Sequence, residues 1–269
     1  MIRLAVRVRR AEAELVLAEL LELAPAGLEE VEVDAETVEY AVYGAPGELP
    51  QLPDLRAAAG SALVEVATRE VGEDWARRWR EFHRPLQIAE RLTVRPPWEP
   101  ARDTALDVVI DPGQAFGTGA HPTTRLCLEL MLDLGAGAGR SLVDVGCGSG
   151  VLAIVAAGLG FAPVVALDYE AAAVRATAEN ARLNGASVAV RRWDLRADPA
   201  PEADVAVANV LAGPLVAWAA TPGPLAPTLI LSGILSAEAD RVTSAFARRG
   251  YAETERRELA EWSALALVR

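Results

Sequence analysis

The chain has 269 residues, 52% of them hydrophobic, enough for about two domains at roughly 100–200 residues each and for a sizeable core, which excludes intrinsic disorder. Its 26 basic residues, all arginine, face 38 acidic ones, and a net charge of -12 repels nucleic acid while suiting a basic protein or a cationic small molecule. Without lysine, Schiff-base chemistry and a phosphate loop ending in Gly-Lys-Ser/Thr are excluded, and two cysteines (Cys127, Cys147) with two histidines (His83, His121) build neither a zinc site nor a disulfide framework.

The N-terminus, Met1-Ile-Arg-Leu-Ala-Val-Arg-Val-Arg-Arg, has charges where a signal peptide needs an apolar run, so a cytoplasmic protein is expected. Ile2, Leu4, Val6 and Val8 alternate with Arg3, Arg7 and Arg9, the pattern of a half-buried strand. Ala11 to Leu23 is rich in helix formers and should stop at Pro25 and Gly27. Val31/Val33 and Val38/Tyr40/Val42 alternate again, as two strands separated by Asp34-Ala35-Glu36. A short helical piece near Leu52–Ala59 and a strand over Leu63–Thr68 follow. The order β-α-β-β-α-β is the split βαβ arrangement of small ferredoxin-like domains, expected over residues 1–70. That stretch holds 6 arginines and 14 acids, a net of -8. It reads either as a solvated acidic surface or as a docking face for a basic partner.

Residues 71–100 are expected to join two domains. Trp75, Trp79 and Phe82 lie at i, i+4 and i+7 on one helix face, which reads as packing between domains; a base-stacking platform would interleave basic and aromatic residues. Pro85, Pro96-Pro97 and Pro100 then stiffen the connection, and Ala105 to Asp111 is strand-like. The second domain is expected over residues 101–269. Within it, Leu142–Val145, Val164–Asp168, Val188–Arg191, Val205–Asn209 and Leu229–Ser232 read as strands alternating with helical segments. They predict an α/β fold with a mostly parallel sheet and helices on both faces. Tyr251–Leu259 and Trp262–Val268, joined at Ala260-Glu261, read as a closing antiparallel hairpin. Val205 to Ala237 has no charged residue, but Asn209, Gly213-Pro214 and Pro222-Gly223-Pro224 break it into strand, loop or short helix, and strand rather than a membrane span.

Four places carry chemistry. In Leu142-Val-Asp-Val-Gly-Cys-Gly-Ser-Gly150 a strand runs through Asp144 into Gly146, Gly148 and Gly150 and then into a helix. Glycine lets the backbone approach a ligand, and the helix start offers unpaired N–H groups. The dinucleotide pattern Gly-x-Gly-x-x-Gly places pyrophosphate there, but here the third glycine comes one residue early and a carboxylate precedes the first. That combination suits the amino group of a cationic, phosphate-free nucleoside. Asp168 ends the next strand, 22 residues after Gly146, where a carboxylate accepts from ribose hydroxyls or caps a helix. Asn209 ends Val205-Ala-Val-Ala-Asn209, where a polar group among apolar neighbours needs a partner or a ligand. The loop Asp111-Pro-Gly-Gln-Ala-Phe-Gly-Thr-Gly-Ala-His-Pro-Thr-Thr124 holds three glycines and two prolines. Thr123-Thr124 are expected to cap a helix over Arg125–Leu134; Phe116 and His121 are placed to line a pocket, with His121 read as structural before catalytic.

Together these residues resemble class I S-adenosylmethionine-dependent methyltransferases. The loop Phe116-Gly-Thr-Gly-Ala-His-Pro-Thr-Thr, Asn209-Val-Leu-Ala-Gly-Pro and Asp74-Trp-Ala-Arg-Arg-Trp-Arg narrow the resemblance to the ribosomal protein methyltransferases of the PrmA family, which modify protein eleven of the large subunit. It spans residue 70 to the end by motif and residues 1–70 by element order alone. Ala120 stands where threonine is expected.

The resemblance implies a class I Rossmann-like sheet with a small ferredoxin-like domain that grips the ribosomal protein. It implies S-adenosylmethionine as cofactor, held at Thr124, Gly146, Asp168 and Asn209, with Asp144, Gly148, Gly150, Phe116, Gly117 and Thr118 beside them. It also implies methylation of lysine side chains and the N-terminal amine of the substrate. Phe116, Asn209 and Leu211 are expected to frame an apolar pocket that keeps the attacking amine neutral, with no general base and no metal. A monomer acting on a basic ribosomal protein, with no direct nucleic-acid binding and no membrane association, is expected. Methylation of another protein, of RNA or of a small molecule stays open, as does a non-catalytic nucleoside-binding module.

Overall fold

The alternation at the N-terminus forms strand β1 (Ile2–Arg9), the second-from-edge strand of a four-stranded antiparallel sheet. With β2 (Glu29–Glu32), β3 (Thr37–Gly44) and β4 (Leu63–Glu70) the order is β2-β3-β1-β4. The computed structural model describes every residue except 1, 14–15, 18–19, 21–27, 35, 45–48, 51, 71–83, 113–120, 196 and 200. Leu4, Val6 and Val8 on one face of β1 are buried with Val38 and Tyr40, against Ala13, Val16 and Leu20 and against Leu55 and Ala59 of helix α1 (Leu52–Ala59). The Tyr40 phenol satisfies itself in this core by donating to the Ala13 carbonyl at 3.1 Å. This strand order and antiparallel pairing are those of a ferredoxin-like sheet, and the helix expected over Ala11 to Leu23 lies partly outside the described residues.

The opposite face of the same sheet is charged. Arg3 and Arg7, two residues either side of Ala5, donate to Glu39 at 2.7 and 3.0 Å, and Arg7 also reaches Glu65 at 3.0 Å. The Arg3 hydrogen bond, helped by Arg7, holds the Glu39 carboxyl below its ordinary range. One expected strand is shorter than its pattern: β2 ends at Glu32 and leaves Val33 39% exposed. Asp34 is the cause, because its Oδ1 accepts from the N–H groups of Glu36 and Thr37, both at 2.8 Å, and turns the chain one residue early.

The chain divides into Met1–Phe82 and His83–Arg269. The aromatic stripe of Trp75, Trp79 and Phe82 lies outside the described residues. The stretch expected as a proline-rich connection carries strands instead: β5 (Leu86–Ile88) and β6 (Leu92–Arg95) pair antiparallel, and β6 runs parallel to β7 (Leu106–Val109). The prolines at 85, 96, 97 and 100 sit outside these strands, where a missing N–H removes no ladder bond.

The main sheet of the second unit has seven strands. They are β8 (Leu142–Val145), β9 (Val164–Asp168), β10 (Val188–Arg192), β11 (Val205–Asn209), β12 (Thr228–Leu235), β13 (Ala252–Leu259) and β14 (Trp262–Val268). Their order is β10-β9-β8-β11-β12-β14-β13. The first five pair in parallel, and β14 enters antiparallel between β12 and β13. Helices α2 (Pro122–Asp133) and α3 (Val151–Gly158) bury Leu126, Met131, Leu152 and Ile154 on one face, with Leu92, Val94 and Val108 of the small sheet in the same core. Helix α4 (Ala171–Leu183) adds Ala181 there. The other face is covered by α5 (Ala212–Ala220) and α6 (Ala239–Ala247), whose Trp218 and Phe246 meet edge to face at 6.0 Å between centroids. The uncharged stretch is thus β11, α5 and β12, and among the described residues no helix is long and apolar enough to cross a membrane.

Candidate functional site

In an open parallel sheet, ligands bind beyond the carboxyl ends of the strands where the strand order reverses. Here that point lies between β8 and β11, since β9 and β10 continue to one side of β8 and β11 and β12 to the other. The glycine loop leaves β8 at this point, Asn209 ends β11, and Asp168 ends the neighbouring β9.

Backbone geometry explains the glycines. Gly146, Gly148 and Gly150 have φ of 75, 53 and 84°, in the left-handed region. A Cβ on Gly146 would stand 2.4 Å from Val210 Cγ1, and one on Gly150 would stand 2.7 Å from Thr177 Cγ2. The N–H groups of Gly146 and Cys147 both donate to the Leu167 carbonyl, at 2.8 and 3.0 Å, so the loop is tied back onto β9. Gly150 then caps α3 without a side chain.

Asp144 is fully buried under this loop rather than standing at its mouth. Its Oδ2 accepts the Ala153 N–H at 3.1 Å, which satisfies one of the orphan donors in the first turn of α3. Its Oδ1 is buried with no hydrogen-bond partner among the described residues. Burial pushes this carboxyl up to about 7, the Ala153 hydrogen bond opposing and Asp168 adding to the effect.

Asp168 is buried as well. Its Oδ2 accepts from Gly148 N–H at 3.0 Å and its Oδ1 from Glu170 N–H at 3.0 Å. The N-cap of α4 is Glu170, so Asp168 does not cap that helix; it braces the glycine loop from the next strand. An ionised carboxylate has lone pairs left for further donors.

Asn209 Nδ2 donates to Thr124 Oγ1 at 3.2 Å, which joins the ends of β11 and α2. Asn209 Oδ1 is buried without a partner among the described residues. Leu211, next along, is 65% exposed and precedes α5. The structure therefore brings Asp144, Gly146, Gly148, Gly150 and Asp168 together around one loop, with Asn209 and Thr124 paired beyond the neighbouring β11. Phe116, Gly117 and Thr118 lie outside the described residues.

The helix that follows them starts earlier than the two threonines suggest. Helix α2 begins at Pro122, and its N-cap is His121, whose Nδ1 accepts the Thr123 N–H at 3.3 Å. Proline is favoured at the first helical position because its missing N–H would be an orphan anyway. Thr123 and Thr124 are therefore inside the helix, both buried, and Thr124 is free to meet Asn209. His121 also stacks edge to face on Trp262 at 5.0 Å. Burial lowers its imidazole below the ordinary value and Glu261 partly restores it. A neutral ring whose Nδ1 acts as a cap is a structural role.

Sequence reasoning passed over Asn180 and Asn184. Asn180 is buried in α4 and bonds both the Ser149 carbonyl and the backbone of Asp111. Asn184 bonds the backbone of Val109 in the same manner. The available signal was their i, i+4 spacing on the helix line that also carries the buried Thr177.

The orphaned Asn209 Oδ1 and the glycine cradle fit a ligand that brings N–H donors and no phosphate. Among the described residues no cluster of metal-ligating side chains occurs. The family model described as "Ribosomal protein L11 methyltransferase (PrmA)" matches residues 6–269. A ribosomal protein L11 methyltransferase of Burkholderia multivorans (strain ATCC 17616 / 249) is 39% identical over 277 aligned positions, covering 91% of this chain and 90% of that protein. One of Yersinia pseudotuberculosis serotype O:1b (strain IP 31758) is 44% identical over 194 residues, covering 70% of this chain but only 65% of its own length, a little under two thirds. The crystal structure of a ribosomal protein L11 methylase from Lactobacillus delbrueckii subsp. bulgaricus is similar with a TM-score of 0.61 and 30% identity, covering 69% of this chain and 98% of that one.

Proposed function

Because the chain belongs to the ribosomal protein L11 methyltransferase (PrmA) family, we propose that it moves methyl groups from S-adenosylmethionine to lysine side chains and the N-terminal amine of ribosomal protein L11. The observation that carries this reading is the convergence of the glycine loop, Asp168 and Asn209 at the switch point of the parallel sheet. When bound, the cofactor supplies a methyl group already activated on a sulfonium centre.

The chain's own residues then have two tasks. The first is to hold the cofactor. Gly146, Gly148 and Gly150 let it approach the backbone, and Asp168 keeps lone pairs for ribose hydroxyls. Asp144 supports the loop from beneath, Thr124 and Asn209 close the opposite side, and Phe116, Gly117 and Thr118 are assigned to cofactor binding in the same reading. The second task is to present a neutral amine. A lysine amine has an ordinary pKa of about 10.4 and must lose its proton before it attacks. Phe116 and Leu211 offer apolar walls that disfavour its charged form. The buried Asn209 Oδ1 accepts an N–H of that amine and aims its lone pair for in-line attack, an alignment effect rather than proton removal by a dedicated base.

The acidic character of residues 1–70 supports a basic substrate, gripped by the first unit, and disfavours direct nucleic-acid binding. The protein acts in the cytoplasm as a monomer. The deciding experiment incubates the full chain with labelled S-adenosylmethionine and a ribosomal protein extract, with mass spectrometry of the labelled band. Label on L11 at lysine or its N-terminus is expected; label elsewhere replaces the substrate, and no label despite cofactor binding overturns the reading. Asn209→Ala should lower kcat by about 100-fold or more, the scale of a lost transition-state-aligned polar group, whereas an unchanged kcat would remove Asn209 from the mechanism.

A further inference from the structure

The glycine loop and the end of β7 come from distant parts of the chain, and one side chain touches both. The glycine loop follows β8, while the chain beyond β7 runs through Ile110 to Asp111. Asn180, on the buried side of α4, lies between them. Its Nδ2 donates to the Ser149 carbonyl at 2.9 Å and to the Asp111 carbonyl at 3.3 Å, and its Oδ1 accepts the Asp111 N–H at 2.9 Å. One turn back, Thr177 Oγ1 donates to the Gly148 carbonyl at 2.9 Å.

Asn184, at the C-cap of the same helix, provides a natural contrast. It accepts the Val109 N–H at 2.8 Å and donates to the Val109 carbonyl at 2.6 Å, and its remaining bond returns to the Asn180 carbonyl at 2.8 Å. A primary amide shows a donor and an acceptor side by side, as a peptide does, so each asparagine closes a two-point pair with one residue of the strand edge. Four helical residues advance about 6 Å and two strand residues about 6.6 Å, so amides at i and i+4 meet strand residues two apart. Only Asn180 also holds the glycine loop.

We propose that Asn180 is a positioning residue that fixes the glycine loop at Ser149 to the chain leaving β7 at Asp111, and so sets the shape that the loop offers the cofactor. The proposal rests on the methyltransferase reading above. Loss of the amide removes this side-chain tie between Ser149 and Asp111, while β7 keeps its Val109 pair with Asn184. A purely structural asparagine would lower stability without a selective effect on ligand affinity.

The test uses the full chain and S-adenosylhomocysteine as probe. Calorimetric binding is measured for wild type, Asn180→Ala, Asn180→Asp and Asn184→Ala at a temperature where circular dichroism shows each folded. Asn180→Ala should bind the probe about tenfold or more weakly, whereas Asn184→Ala should stay within about twofold of wild type although both melt earlier, each having lost buried hydrogen bonds. Asn180→Asp keeps the acceptor for the Asp111 N–H but loses the donor to Ser149, so its affinity should fall as in the alanine variant; it serves as the readout if Asn180→Ala does not fold. Hydrogen exchange should speed up at Asp111 in Asn180→Ala and stay near wild type there in Asn180→Asp, which keeps the acceptor for that N–H. Wild-type affinity in the Asn180 variants, or equal weakening at both asparagines, overturns the positioning role alone. Failure of the wild type to bind the probe overturns the methyltransferase reading and this role with it.

Discussion

The two sheets treat polar residues in opposite ways. In the first unit they lie on the charged face of the sheet, where Arg3, Arg7, Glu39 and Glu65 pair in partial contact with water. In the second unit the sheet is covered on both sides, and Thr124, Asp144, Asp168 and Asn209 sit near the carboxyl ends of its strands, with two of their oxygens unpartnered among the described residues. Exposed ion pairs contribute little and tolerate change. Buried polar groups are expensive to leave unpaired, so a group of them at one end of a sheet marks where a ligand is received.

Substitutions can sharpen this contrast. The largest effect is expected at Gly150→Ala, where a Cβ would meet Thr177 Cγ2 at 2.7 Å at a φ of +84°. A left-handed non-glycine residue plus overpacking costs about 2–5 kcal/mol, and chemical denaturation together with S-adenosylhomocysteine titration should report both lost stability and lost binding. Asp144 comes next, through pH. Because burial holds its carboxyl at about 7, above its ordinary value of 3.8, the folded chain keeps a proton that the unfolded chain releases. Its contribution is fully present below its ordinary value and is lost as pH rises through about 7, at up to about 1.4 kcal/mol per pH unit. Melting curves from pH 5 to 8 should slope downward for wild type and less so for Asp144→Asn; parallel curves would remove Asp144 as the cause.

His121→Ala should cost about 1 kcal/mol, or about 2–4 °C in Tm, as loss of a helix cap. Since burial lowers the His121 imidazole, its cap is present above the ordinary histidine value and is lost as pH falls through its lowered one. The difference in Tm between wild type and His121→Ala should shrink in acid, and a difference that grows there would contradict the cap. The smallest effect is expected at Arg7→Ala, under about 1 kcal/mol because its partner Glu65 is exposed and its partly buried partner Glu39 keeps Arg3. Urea unfolding at low and high salt measures it.

What the sequence made legible follows the same division. Strands β8, β9, β11 and β14 and helix α1 fall on the expected residues, because apolar runs between glycine and proline leave few alternatives. The glycine motif was readable since its spacing is tied to backbone conformation. Prolines hid β5 and β6, which are only three and four residues long. Thr123-Thr124 looked like a cap because a hydroxyl before a helical run usually is one, whereas the imidazole before Pro122 took that place. The depth of Asp144 was not legible: a carboxylate in an apolar strand reads the same whether it faces a ligand or the N–H groups of a helix. Asn180 and Asn184 were overlooked for a related reason, since asparagine in a helix is commonly a solvated residue and nothing local announces a strand edge beside it.

The paired asparagines also have a natural length limit. Each four-residue step along a helix turns it by about 40° beyond a full revolution, so a third amide would point about 80° away from the first. Two rungs are therefore as many as this kind of helix-to-strand joint can carry. It acts as a pin at the end of β7 rather than a seam along it. Leu106 to Val108 are left outside the pin, where they line a groove with Phe161, Pro163 and Ala186 at the far end of the sheet.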